Sequence, residues 1–226
     1  MKGKLIVIEG IDGSGKSTQF DLLRARLDRN GVSFKYQRFP RYDNPSSQLV
    51  RMYLAGEFGN SAEAVSPYSA SVFYAADRAA AFAGELGEVY ENGGLLLLDR
   101  YTTANLVHQG AKLEGEEREK YSDWLCDLEY EKLGLPQPDI VILLDMPEGK
   151  SLELIEKRGN AADIHEKDAG FLRRCAECAR YMGKKYNWEV VSCMAGGYLR
   201  TPEDISAEIY ARIENSGISL GSVKVC

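Results

Sequence analysis

Eight residues near the start of the chain, Gly10-Ile11-Asp12-Gly13-Ser14-Gly15-Lys16-Ser17, fit the pattern G-x-x-x-x-G-K-[ST]. They follow a short apolar run at 5–8 and open a helical pattern that extends from 16 to about 30 and stops at Gly31. A strand, a glycine-rich turn and a helix in that order constrain the fold strongly, because they build one device. The glycines let the backbone curl around a phosphate with its N–H groups inward, and the helix adds its positive N-terminal end. Gly10, Asp12, Gly13, Ser14, Gly15, Lys16, Ser17 and Thr18 are therefore candidate ATP-phosphate residues. Lys16 reaches the β- and γ-phosphates, Ser17 can ligate Mg²⁺, and Thr18 caps or packs the helix start.

The remaining pattern extends this unit into a sheet. Apolar runs at 34–37, 95–98, 139–144 and 189–193 read as strands, and those at 95–98 and 139–144 are continuous rather than alternating, as strands buried on both faces are. Helical patterns fall at 46–58, 67–91, 116–133, 148–158, 168–185 and 202–215. Short buried strands alternating with helices predict an α/β, three-layer P-loop NTPase fold: a central parallel sheet of about five strands with helices on both faces. With no repeat or low-complexity linker, residues 1–226 read as one domain. The net charge of −6 supplies no basic field for nucleic acid, so a polyanionic substrate needs locally placed cations. The apolar runs are too short to cross a bilayer, and the N-terminus lacks a signal-peptide pattern, so the expectation is a cytoplasmic protein with no membrane partner. Cys126, Cys175, Cys178, Cys193 and Cys226 are scattered, and Cys175-x-x-Cys178, inside a helical run, reads as ordinary helix residues.

The phosphate loop alone leaves ATPases, GTPases and small kinases open. The chain has no N-K-x-D guanine-reading motif, which turns attention to kinases and to a second anionic site. Arg41 follows the second strand in Phe39-Pro40-Arg41, and Arg100 follows the third in Asp99-Arg100-Tyr101. Arginines at carboxyl ends of parallel strands lie where ligands bind and can fork onto a phosphate. Asp99 is placed to organise Mg²⁺, and Asp145 ends the next strand similarly but reads equally well as a turn residue.

Together with Glu9-Gly10 and the phosphate loop, Phe39-Pro40-Arg41, Tyr74-Ala75-Ala76-Asp77-Arg78 and Asp99-Arg100-Tyr101 resemble the thymidylate kinase family in order and spacing over nearly the whole chain. The resemblance implies transfer of the ATP γ-phosphoryl group to dTMP with Mg²⁺, in a homodimer. It implies that Lys16 and Arg100 are catalytic, that Asp12 holds the deoxyribose 3′-hydroxyl, and that Arg41 and Arg100 bind the dTMP phosphate. Tyr74 would stack on the base, with Phe73 the neighbouring alternative. Arg78 would meet a thymine carbonyl, and Asn105 and Gln109 would line the thymine and sugar pocket. Members without a phosphate-loop arginine, as here at Gly13-Ser14, supply that charge from a mobile lid, expected at 156–167. Ile164 stands where an arginine is common, so Arg158 is the candidate transition-state cation. Ala104 replaces a common serine. His108 replaces a common aromatic and is expected to have no catalytic role, while His165 reads as a solvated lid residue. Two alternatives are another monophosphate kinase on the same scaffold and a non-catalytic ATP-binding regulator.

Overall fold

The computed structural model describes residues 1–158 and 168–220, with Arg158 described in its backbone only. Its strands are β1 (Lys4–Gly10), β2 (Phe34–Arg38), β3 (Leu95–Asp99), β4 (Ile140–Asp145), β5 (Glu189–Ser192), β6 (Met194–Ala195) and β7 (Tyr198–Leu199). Its helices are α1 (Lys16–Arg29), α2 (Gln48–Leu54), α3 (Pro67–Phe82), α4 (Glu85–Glu91), α5 (Thr102–His108), α6 (Gly115–Cys126), α7 (Glu148–Arg158), α8 (Ala169–Lys185) and α9 (Pro202–Asn215). The first five strands form one parallel sheet in the order β2-β3-β1-β4-β5, and β6 and β7 form a separate antiparallel pair.

Alternate side chains of β1 explain the three layers. Ile6 and Ile8 pack with Phe20, Leu23 and Leu27 of α1 and with Ile209 and Ile213 of α9. Leu5 and Val7 point the other way and pack with Leu86, Leu96 and Leu98. Beyond β1 on that second face, Leu143 meets Phe171, Cys175 and Met182 of α8. All four β1 residues are sealed from solvent, and each such side chain contributes about 1.5–3 kcal/mol by leaving water. Two sealed faces require continuous apolar strands, as the sequence shows.

Helix ends follow local chemistry. Ser66, Asp168 and Thr201 cap α3, α8 and α9 by accepting from Ser69, Phe171 and Asp204 backbone N–H groups at 3.1, 2.9 and 3.2 Å. Three sequence expectations need correction. The helix expected over 67–91 breaks at Gly84 into α3 and α4, because glycine stabilises helix poorly and permits the kink. The helix expected over 116–133 changes at Asp127 into a π-helical turn, Asp127–Lys132. The helix expected over 46–58 is shorter, a 3₁₀ turn at Pro45–Ser47 followed by α2. The β6–β7 hairpin and α5 were not anticipated.

Candidate active site

The carboxyl ends of β1, β2 and β3 open onto a cleft of about 780 Å³, within the usual range for small-molecule sites. The phosphate loop forms its floor. Gly13 and Gly15 have φ of 74° and 83°, a left-handed backbone that glycine adopts freely. A Cβ at Gly13 would also run into α7, with Ile155 Cγ1 2.9 Å away. Close packing of α7 on the loop thus gives a physical reason why position 13 carries no arginine. Ser151 of α7 strengthens this contact by donating its hydroxyl to the Asp12 carbonyl. Lys16 is 7% exposed and donates to the Ile11 carbonyl at 3.3 Å. Burial, then the nearby Arg100 cation, lowers its pKa against the pull of Asp12, Asp99 and Glu9. Its ammonium is therefore poorly compensated and suited to meeting an anion.

Arg100 is the hub of the cleft. Its φ of 66° is left-handed, unusual for a residue with a Cβ. The guanidinium forms an ion pair with Asp12 and a 2.6 Å hydrogen bond to His108 Nε2. In that contact the guanidinium donates and Nε2 accepts, while Nδ1 lies 3.5 Å from Cys175 Sγ. Burial opposes the Arg100 charge, but Asp12, Glu9 and Asp99 outweigh it and raise its pKa. Glu9 lies beneath, fully buried, accepting from Thr103 Oγ1 and from the Gly10 N–H at 2.9 Å each. Burial pushes its pKa up, while Arg100 and Lys16 pull it down. Asp99 and Ser17 both line the cleft, and Asp99 meets Arg38 Nε at 3.5 Å. A hydroxyl and a carboxylate are hard oxygen donors that fit Mg²⁺, which takes one or two protein ligands and fills its octahedron with water and phosphate oxygens.

The far end of the cleft is built on α3, α5 and the π-helical turn. Tyr74, Arg78, Asn105, His108 and Gln109 line it. Phe73 instead packs on Phe58, with ring centroids 5.7 Å apart, which favours Tyr74 as the aromatic that faces a ligand. Arg78 is 1% exposed, and its Nε and Nη2 both donate to Glu129 at 2.6 Å. Arg41 is not among the lining residues. Its Nε and backbone N–H donate to Asp77 at 2.9 and 2.8 Å, and its Nη2 to Ser46 Oγ at 2.8 Å. Asp145 is likewise outside the cleft and pairs with Arg180 at 2.8 Å.

A family model described as thymidylate kinase matches residues 8–196. The chain belongs to the thymidylate kinase family. Among similar proteins is the thymidylate kinase of Mycobacterium tuberculosis, 33% identical over 180 residues that cover 75% of this chain and 81% of that one. The thymidylate kinase of Pelotomaculum thermopropionicum is 32% identical over 180 residues, with 77% of each chain covered. The thymidylate kinase structure from Candida albicans superposes with a TM-score of 0.70 at 24% identity, covering 96% of this chain and 93% of that one, a likeness of fold.

Of the residues that the sequence singled out, the structure brings Asp12–Thr18, Tyr74, Arg78, Asp99, Arg100, Asn105 and Gln109 to one cleft. Gly10, at the end of β1, leads into it. The Arg158 side chain and residues 159–167 of the lid expected at 156–167, with Ile164 and His165, lie outside the described residues. Sequence reasoning assigned no role to Arg38, Glu9 or Glu129. Glu129 had a signal: it stands four residues after the buried Leu125, a carboxylate on the apolar face of the helical run.

Proposed function

We propose that this family member carries out thymidylate kinase chemistry as one nucleoside monophosphate kinase domain, with ATP at the phosphate loop and dTMP at the Tyr74–Asn105 end. The observation that carries the reading is Arg100, which pairs with Asp12 of the phosphate loop, lies near Lys16 and lines one cleft with Tyr74, Arg78 and Asn105. The loop N–H groups and Lys16 hold the β- and γ-phosphates of the donor. Arg100 lies over the meeting point and draws the acceptor phosphate and the transferred group together. Arg41 would join it by exchanging Asp77 for phosphate. Asp12 orients the sugar hydroxyl while anchoring Arg100, Tyr74 stacks on the base, and Gln109 lines the sugar side. Mg²⁺ held by Ser17 and organised by Asp99 would neutralise charge on the donor phosphates. Phosphoryl transfer needs little covalent help from protein, so positioning and electrostatics suffice. Arg158 would supply the transition-state cation. A homodimer is part of the same proposal, with the exposed Tyr68 and Val72 of α3 as one apolar patch available to it.

The test is product identification: the full chain with Mg-ATP and dTMP, followed by ³¹P NMR. Appearance of dTDP and ADP in equal amounts is the expected result. ATP binding with no diphosphate formed would turn the reading towards a non-catalytic regulator, and phosphorylation of another monophosphate alone would move it to a different kinase.

A further inference from the structure

Glu129 is fully buried, in the π-helical turn that follows α6. Its carboxylate accepts from four groups: Arg78 Nε and Nη2 at 2.6 Å each, Thr102 Oγ1 at 2.8 Å and Asn105 Nδ2 at 3.5 Å. The Arg78 fork is thereby locked edge-on, with Nη1 left over; that nitrogen meets the Tyr101 carbonyl at 3.3 Å and keeps a second N–H. Asn105 is fixed as well. Its amide nitrogen is committed to Glu129 and to the Ser71 carbonyl at 3.3 Å, so only Oδ1 remains to offer a ligand. Arg78 and Asn105 both line the cleft beside Tyr74.

We propose that Glu129 is a positioning residue that sets the hydrogen-bond polarity of the base pocket, making it read a pyrimidine imide and reject a cytosine. The inference rests on the thymidylate kinase reading of the cleft and deepens it. With Glu129 accepting from both side chains, the pocket presents a donor from Arg78 beside an acceptor from Asn105. Thymine and uracil carry the complement, a carbonyl oxygen at position 4 beside the N3–H. Cytosine carries the reverse, an amino group at position 4 beside a bare N3, and would set donor against donor and acceptor against acceptor. A pocket whose polar groups are left unpaired by the wrong ligand discriminates far more than one that senses a methyl group. Arg78 donates whatever its partner and the Ser71 carbonyl also holds Asn105, but Glu129 fixes the direction of both at once. A fork with no anchor can rotate, and an amide can turn over at little cost when both sides offer similar partners.

The experiment compares kcat/KM for dTMP and dCMP in the full-length wild type, Glu129→Gln and Glu129→Asp, with the KM for ATP as the readout that general damage would also move. A glutamine amide offers an N–H towards the donors of Arg78 and Asn105, so the Arg78 fork loses its two-point anchor and Asn105 is held by the Ser71 carbonyl alone. Glu129→Gln is expected to raise the KM for dTMP and to lower the dTMP-over-dCMP ratio by about tenfold or more, with the ATP KM within about twofold. Glu129→Asp, which keeps the charge on a shorter arm, is expected to keep the preference while raising the dTMP KM. A ratio unchanged in Glu129→Gln would overturn the proposal. So would an unaltered dTMP KM in Glu129→Asp, which decides the matter if the glutamine variant is insoluble. Absence of dTMP turnover in the wild type would overturn the kinase reading on which the proposal stands, and it would be seen before any variant is made.

Discussion

The two ends of the cleft treat a buried cation in opposite ways. At the phosphate end, Lys16 is nearly sealed from solvent and bonded to a backbone carbonyl, with its charge disfavoured by burial and by Arg100. At the base end, Arg78 is more fully buried but gripped by a carboxylate at two points, and its pKa is raised, the Glu129 charge and hydrogen bonds outweighing burial. The first arrangement is unfinished without an anion. The second is complete before any ligand arrives. The difference suits the ligands: a phosphate brings its own charge and rewards an uncompensated site, whereas a neutral base brings none and must be read by groups already held in place.

Variants can break that comparison. The largest effect is expected for Lys16→Met, which removes the cation facing the transferred group and should lower kcat about a thousandfold or more in a coupled ADP-release assay. Next comes the contrast between Arg100 and Arg41. Arg100 already lines the cleft, while Arg41 is engaged by Asp77, so Arg100→Ala should lose about a hundredfold in kcat/KM for dTMP and Arg41→Ala several-fold less. Equal losses would show that exchanging Asp77 for phosphate costs Arg41 nothing in the working complex. The smallest effect concerns a third cation, Lys112, whose Nζ donates to Tyr53 Oη and the Val65 carbonyl at 3.0 and 3.1 Å. Burial pushes its pKa down to about 8 from 10.5. Between those values the unfolded chain holds a proton that the folded one has released, so this group's contribution to stability rises with pH across the window. Urea denaturation at the two ends should show wild type gaining about 1–2 kcal/mol relative to Lys112→Met, and parallel pH dependences in the two proteins would contradict it.

The two ends also differ in how far sequence reveals them. The phosphate loop is eight consecutive residues whose geometry is local, so glycine spacing and a following helix suffice to locate it. The five-strand sheet was legible for a similar reason, because strands buried on both faces leave continuous apolar runs. The base pocket is not local. Arg78 and Glu129 lie 51 residues apart, and no spacing rule joins them until α3 and the π-helical turn are packed together. Arg41 is hidden differently: its place after β2 is legible in the sequence, but the direction of its side chain depends on Asp77, a contact that position alone does not reveal. The β6–β7 hairpin turns at Gly196 and Gly197, a turn signal with strands too short for any alternation to register.

The contrast between the two buried cations is tested most directly by thermal unfolding of Lys16→Met and Arg78→Met beside wild type, without nucleotide. Removing Lys16 deletes a poorly compensated charge, so its melting temperature should stay level or rise. Removing Arg78 strands Glu129 as an unpaired buried carboxylate, a loss of about 3–5 kcal/mol that should lower the melting temperature by roughly 6–20 °C. Similar losses in both variants would contradict the account, because they would mean that the phosphate end is as complete in the empty protein as the base end.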